Sequence, residues 1–172
     1  MMNFNSEKTR ELKNKAQQIK LFITDVDGVL TDGKIILGSE GLEFKAFHVH
    51  DGQGIKLAQE VGIEVAIITG RESEAVSCRA AELGISELYQ GVSDKVEVFE
   101  QLLADYNLSS AEVSYIGDDL GDLALLKRVG LALTVSNGVS AIKEVADYTT
   151  TKPGGAGAVR EAIQLILALQ EL

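Results

Sequence analysis

Three short runs in this sequence hold the side chains most able to do chemistry. They are Thr24-Asp25-Val26-Asp27-Gly28, Thr69-Gly70-Arg71 and Gly117-Asp118-Asp119, the last followed by Asp122. Each comes directly after an apolar run: Leu21-Phe22-Ile23, Val65-Ala66-Ile67-Ile68 and Val113-Ser114-Tyr115-Ile116. If those runs are strands of an open α/β sheet, ligands bind beyond their carboxyl ends, where the polar residues converge. Asp25, Asp27, Asp118, Asp119 and Asp122 would then share one small space. Like charges at close range raise one another's pKa and cannot all ionise unaided. A divalent cation resolves the conflict, and an all-oxygen donor set favours Mg²⁺ over zinc. One such run alone would read as turn or helix capping, a role open to Asp118 and Asp122. Three at successive strand ends point to a site.

The elements that must position them alternate. A fourth apolar run, Leu131-Ala132-Leu133, completes the strand candidates, and continuous apolar character suits strands covered on both faces. Helical patterns lie between or beside them at 55–61, 72–83, 94–106, 120–129 and 140–146. A charged, weakly amphipathic helix is predicted over 7–19, and a closing helix with a wide apolar face over 156–171. Gly84 and Gly130 stand where helix C-caps are expected. The predicted fold class is α/β, a parallel sheet flanked by helices in one domain spanning 1–172. One segment breaks the rhythm: 34–37 and 42–49 flank Gly38-Ser39-Glu40-Gly41 and read as a projecting β-hairpin. It is far shorter than an inserted cap domain, so it would cover a site beneath it poorly.

Composition narrows the function classes. With 26 acidic against 16 basic residues the net charge is −10, which opposes a phosphate backbone and argues against nucleic-acid binding. A compact anionic substrate stays possible where a cation offsets the field. No apolar run is long enough to span a membrane, and the polar start of the chain carries no secretion signal. A lone cysteine, Cys78, cannot form an intrachain disulfide, so a cytoplasmic location is expected, with Cys78 a small packing residue.

The motifs taken together resemble a known family. Asp25-Val26-Asp27-Gly28-Val29-Leu30-Thr31 is similar to the first motif of the haloacid dehalogenase-like phosphatases. Thr69-Gly70, Lys95, and Gly117-Asp118-Asp119 with Asp122 follow in the order of the second, third and fourth motifs. The resemblance implies a Rossmann-like fold and catalysis through an aspartyl-phosphate. By it, Asp25 is the nucleophile and Asp27 the general acid and base. Mg²⁺ is held by the Asp25 carboxylate, the Asp27 carbonyl and Asp118. Asp119 and Asp122 act in an outer layer or orient Lys95, while Thr69 and Lys95 bind phosphoryl oxygens. The pairing of two aspartates in one turn makes phosphate-ester hydrolysis the implied reaction.

Within that superfamily the chain resembles the family of 3-deoxy-D-manno-octulosonate 8-phosphate (Kdo 8-phosphate) phosphatases. The resemblance rests on the small size, the hairpin in place of a cap, and four runs. These are His48-Val49-His50-Asp51-Gly52, Ile68-Thr69-Gly70-Arg71, Leu88-Tyr89-Gln90-Gly91, and Gly154-Gly155 through Val159-Arg160-Glu161. It implies an Mg²⁺-dependent homotetramer in which hairpins and C-terminal tails cover neighbouring sites, with a product destined for lipopolysaccharide. Substrate contacts are then implied at Asp27, His48, Val49, His50, Asp51, Gly52, Lys56, Gly70, Arg71, Arg79 and Lys95, with Arg160 on the neighbour's tail. Arginine suits this task on its own chemistry, because its fork grips a carboxylate with two parallel hydrogen bonds. Arg79, two turns along its helix, could equally be a surface residue.

Two positions depart from that family: His50 and Ala156 stand where arginine is usual. The departure keeps open a related nonulosonate 9-phosphate, of sialic acid or its deaminated analogue. A receiver-like domain storing phosphate is a further alternative, although its acceptor aspartate lies on a later strand than its acidic pair. An idle scaffold is another, but every chemical position here is filled. His48 and His50, expected on one face of a strand, have no third nitrogen or sulfur partner for zinc. The glycines at 154–157 read as a flexible tail hinge.

Overall fold

The computed structural model describes residues 7–171; residues 1–6 and 172, at the ends of the 1–172 span, lie outside the described part. A six-stranded parallel sheet runs in the order β5-β4-β1-β6-β7-β8. Its strands are β1 (Leu21–Thr24), β4 (Glu64–Ile68), β5 (Glu87–Tyr89), β6 (Val113–Gly117), β7 (Leu131–Thr134) and β8 (Tyr148–Thr149). The centre is the run of three that precede the acidic and Thr-Gly motifs, with Leu21 in register with Glu64 on one side and Val113 on the other.

Alternate residues of each strand point to opposite faces, so a wholly apolar strand builds two cores. Phe22, Val65, Ile67, Ile116, Leu131 and Leu133 face α2 (Val49–Glu60), α3 (Glu74–Leu83) and α7 (Ala158–Gln170), with α1 (Glu7–Ala16) joining at Ala16. Leu21, Ile23, Ala66, Ile68, Val113 and Tyr115 face α4 (Lys95–Tyr106), α5 (Leu123–Leu126) and α6 (Ser140–Val145). The helix ends follow local chemistry. Asp94 caps α4 by accepting the Val96 amide at 2.9 Å, and Gly84 ends α3 in the left-handed conformation at φ 69°.

Several expectations need correction. The short edge strands β5 and β8 carry no strand signal in the sequence, because a half-buried edge with a single neighbour needs no continuous apolar run. The helical pattern at 120–129 resolves into a 3₁₀ turn, Leu120–Asp122, followed by one turn of α5. Gly130 is no left-handed cap: a side chain there would collide with Ala111, and its amide bonds Ser110 and Val113 carbonyls. Cys78 is exposed. The glycines at 154–157 form a seam, not a flexible hinge. A Cβ on Gly154 would strike the Gly28 carbonyl, and the Gly155 amide donates to Val29 at 3.0 Å.

The hairpin is present, as β2 (Ile36–Leu37) paired antiparallel with β3 (Glu43–Phe44) around a 3₁₀ turn, Ser39–Gly41. Its second strand stops at Phe44, short of the expected Val49. His48 and His50 therefore share no strand face. His48 caps α2, its ring nitrogen accepting the His50 amide at 3.2 Å, and His50 lies in the first helical turn.

Candidate active site

The three central strands deliver their motifs to one edge. The Asp25 amide donates to the last apolar residue of β6, Ile116, at 3.1 Å, which seats Asp25 between β1 and β6. Thr69 is held by its own amide on Tyr89 and its carbonyl under Val92, extending β4 by one residue. Asp25, Asp27, Thr69, Gly70, Arg71, Lys95, Asp118, Asp119 and Asp122 line a single cleft of about 430 Å³, joined by Gly33, Val92, Ser93 and Gly121.

Asp122 organises the floor. It is 2% exposed, and Oδ1 accepts from Lys95 Nζ at 2.7 Å and from the Tyr115 hydroxyl at 2.6 Å. Its Oδ2 accepts the amides of Asp118 and Asp119, at 2.8 and 3.1 Å. Asp119 in turn caps the 3₁₀ turn through the Leu120 amide. Lys95 Nζ stands 3.0 Å from Asp25 Oδ1. Burial works against its charge, but Asp25 and Asp122 outweigh burial and hold the ammonium above its ordinary range.

Donor oxygens of Asp25, Asp118 and Asp122 all lie within 4.8 Å of one another. Burial raises Asp25 to about 6, Lys95 opposing the rise and Asp122 adding to it. Burial also raises Asp118, to about 7, with the charges of Asp25 and Asp122 adding to it. This negative charge exceeds what one lysine offsets, as a divalent cation site requires. Gly28 makes room for it. Its φ of 92° suits glycine, and a Cβ there would collide with the Asp118 carboxylate. The hard-oxygen donor set fits Mg²⁺.

Asp27 sits at the mouth, facing the hairpin. Its Oδ1 accepts from Lys45, whose side chain is only 2% exposed, and its Oδ2 lies 3.9 Å from Arg71 Nε. Arg71 also donates to Glu43 at 2.6 Å. Lys45, Glu43 and Tyr115 also belong to the site, and the sequence does not single them out. A lysine in a short polar hairpin reads as solvated, and a tyrosine in a buried strand reads as core. The only signal was that the hairpin follows Asp27 by a few residues and must fold somewhere.

The remaining candidates do not join the cleft. Asp51 is 1% exposed and receives the Arg160 amide at 2.7 Å, so it caps α7. Arg79 pairs with Glu82 at 2.8 Å, with its guanidinium over the Phe47 ring. Val49, Gly52, Lys56 and Arg79 line a separate hollow of about 240 Å³. Within one chain, His48 to Gly52, Lys56, Arg79 and Arg160 thus stand apart from the acidic cluster.

A family profile described as haloacid dehalogenase-like hydrolase matches residues 76–163. The 3-deoxy-D-manno-octulosonate 8-phosphate phosphatase KdsC of Escherichia coli (strain K12) is 48% identical over 156 residues, covering 91% of this chain and 83% of that protein. This chain belongs to the haloacid dehalogenase-like hydrolases. Among solved structures of the family, the 3-deoxy-D-manno-octulosonate 8-phosphate phosphatase of Moraxella catarrhalis, in complex with magnesium ion, phosphate ion and KDO, superposes with a TM-score of 0.92 at 48% identity. That match covers 94% of this chain and 93% of that one. The corresponding phosphatase of Yersinia pestis gives a TM-score of 0.92 at 45% identity, covering 94% and 87%. The same strand order that places Asp25 and Asp118 side by side here is thus shared with family members over nearly their whole length.

Proposed function

We propose that this chain is an Mg²⁺-dependent phosphatase that hydrolyses Kdo 8-phosphate to Kdo and phosphate. The observation that carries the chemistry is the meeting of Asp25, Asp27, Thr69, Lys95 and Asp118 in one cleft. The substrate follows from the phosphatases it resembles at 48% identity along nine-tenths of its length.

In this reading Asp25 Oδ attacks phosphorus, forming an aspartyl-phosphate as the ester P–O bond breaks. Asp27 gives its proton to the departing alkoxide, then takes one from the water that hydrolyses the intermediate. Thr69 and Lys95 hold phosphoryl oxygens, Lys95 being fixed by Asp122. Asp25 and Asp118 hold the metal together with the Asp27 carbonyl, and the bound Mg²⁺ supplies charge neutralisation for phosphoryl transfer. Asp119 and Asp122 act behind them. Gly70 and Arg71 border the substrate, Arg71 offering its carboxylate the donors that Glu43 does not take.

Assembly belongs to the same reading: a homotetramer whose hairpins and C-terminal segments close neighbouring clefts. It would bring His48 to Gly52, Lys56, Arg79 and Arg160 to another copy's site. The hairpin supports this with Ile35, Leu37, Leu42 and Phe44, all more than half exposed. The apolar face of α7 does not, since it is buried against α1 and α2 of its own chain.

The test is phosphate release with Mg²⁺ from Kdo 8-phosphate, the two nonulosonate 9-phosphates and hexose phosphates. Kdo 8-phosphate is expected to lead, and Asp25→Asn to lose turnover by several orders of magnitude while remaining folded. Preference for a 9-phosphate would overturn the substrate, and a near-normal Asn variant would overturn the nucleophile.

A further inference from the structure

Four charged side chains close a ring at the mouth of the cleft. Asp27 Oδ1 accepts from Lys45, Lys45 Nζ lies 3.0 Å from Glu43 Oε1, Glu43 Oε2 accepts from Arg71 at 2.6 Å, and Arg71 Nε returns to within 3.9 Å of Asp27 Oδ2. The two cations and two carboxylates are buried unequally. Lys45 is 2% exposed at the side chain, Glu43 17%, Asp27 23% and Arg71 47%. The innermost member is therefore an ammonium, a charged group that is costly to take out of water. A ring serving only to pin the hairpin would hold as well with apolar residues of similar volume. What the charge adds is a directional grip on one oxygen of Asp27.

We propose that Lys45 is a positioning residue for Asp27. By holding Oδ1 from the hairpin side it turns Oδ2 toward the cleft, where the leaving oxygen departs. Glu43 keeps the ammonium in place whether Asp27 is neutral or charged. This inference rests on the phosphatase reading, with Asp27 as general acid. The proton it concerns moves from Asp27 Oδ2 to the ester oxygen as that oxygen leaves phosphorus and Asp25 bonds to it. Lys45 neither gains nor loses a proton. A pinned carboxyl matters most where the leaving group is poor, because a good one departs without its proton.

That difference supplies the readout. The full-length chain with Mg²⁺ is assayed as wild type, Asp27→Asn, Lys45→Met and Lys45→Arg, on Kdo 8-phosphate and on p-nitrophenyl phosphate. The parameter is kcat/KM, which reports steps up to the first irreversible one. Lys45→Met is expected to lose about 10–100-fold on the alkyl ester and under about threefold on the aryl ester, since misplacing the acid forfeits only part of the roughly 100–10,000-fold that general acid catalysis contributes. Lys45→Arg, which keeps a cation on Oδ1, is expected to recover much of the alkyl-ester rate. Glu43→Gln, which leaves Lys45 in place but loosens it, is expected to show the same selectivity more weakly, and it serves if the Met variant folds poorly. Equal losses on both esters, or none on either, would overturn the positioning role. If Asp27→Asn itself shows no preference between the esters, the general-acid assignment fails and the positioning role falls with it. A selective loss in Asp27→Asn without one in Lys45→Met overturns the positioning role alone.

Discussion

Each carboxylate in the cleft is distinguished by what its oxygens already do. Asp119 is occupied as a turn cap, and all of Asp122's contacts are donors from the protein. In the proposed reading Asp25 and Asp118 hold the metal, whereas both oxygens of Asp122 already accept two protein donors each. Asp122 therefore acts by fixing Lys95 and the two amides. Asp122→Asn would turn an NH₂ toward at least one of these donors, leaving a buried group unsatisfied. The expected result is a kcat lower by about 10–100-fold, the cost of a misplaced charged donor. Stability is expected to fall by about 1–3 kcal/mol. Urea unfolding and steady-state kinetics together check it; an unchanged kcat would return Asp122 to a purely structural role.

At the scale of elements, the site depends on β1 and β6 keeping their register, and part of that is set at their far ends. Lys20, just before β1, pairs at 2.7 Å with Glu112, just before β6. Glu112 also accepts from the amide and hydroxyl of Ser109, closing the turn that leads into the strand. The Lys20 bond and those from Ser109 hold its carboxyl down at about 2. Because the folded value lies below the ordinary one near 4.5, the contribution is present above pH 4.5 and is lost as pH falls toward 2. Glu112→Gln lacks the titration. The gap in urea midpoint between wild type and this variant is expected to be widest above pH 5 and to close on acidification. A gap independent of pH would show that the carboxylate charge contributes nothing.

For the whole molecule, the hairpin is the unfinished part. Phe44 and Leu37 are 54% and 70% exposed, although the side chain of the adjoining Lys45 is only 2% exposed. An apolar flap of this kind is stable in water when a second surface covers it. Sedimentation is expected to give a multiple of the 18.4 kDa chain mass, and Leu37→Asp to shift it to a single chain with loss of Kdo 8-phosphate turnover. A wild-type mass near that of one chain would remove the assembly from the proposal. Among the described residues no helix is long and apolar enough to cross a membrane.

Much of this protein was determined by the sequence alone, because its signals are local. The four central strands are legible as short, almost wholly apolar runs, broken only by Ser114, which suit a sheet covered on both faces, and each chemical motif sits at the end of one of them. Asp25, Thr69 and Asp118 could thus be placed together before any coordinates, and Lys95 followed from the family resemblance. Tertiary structure decided the rest, because long-range contacts leave no local trace. The pairing of Lys45 with Asp27 spans 18 positions and links a hairpin to a strand end, so no periodicity announces it. Asp51 accepts the amide of Arg160, 109 positions away at the start of α7, a contact that no local pattern in the sequence announces.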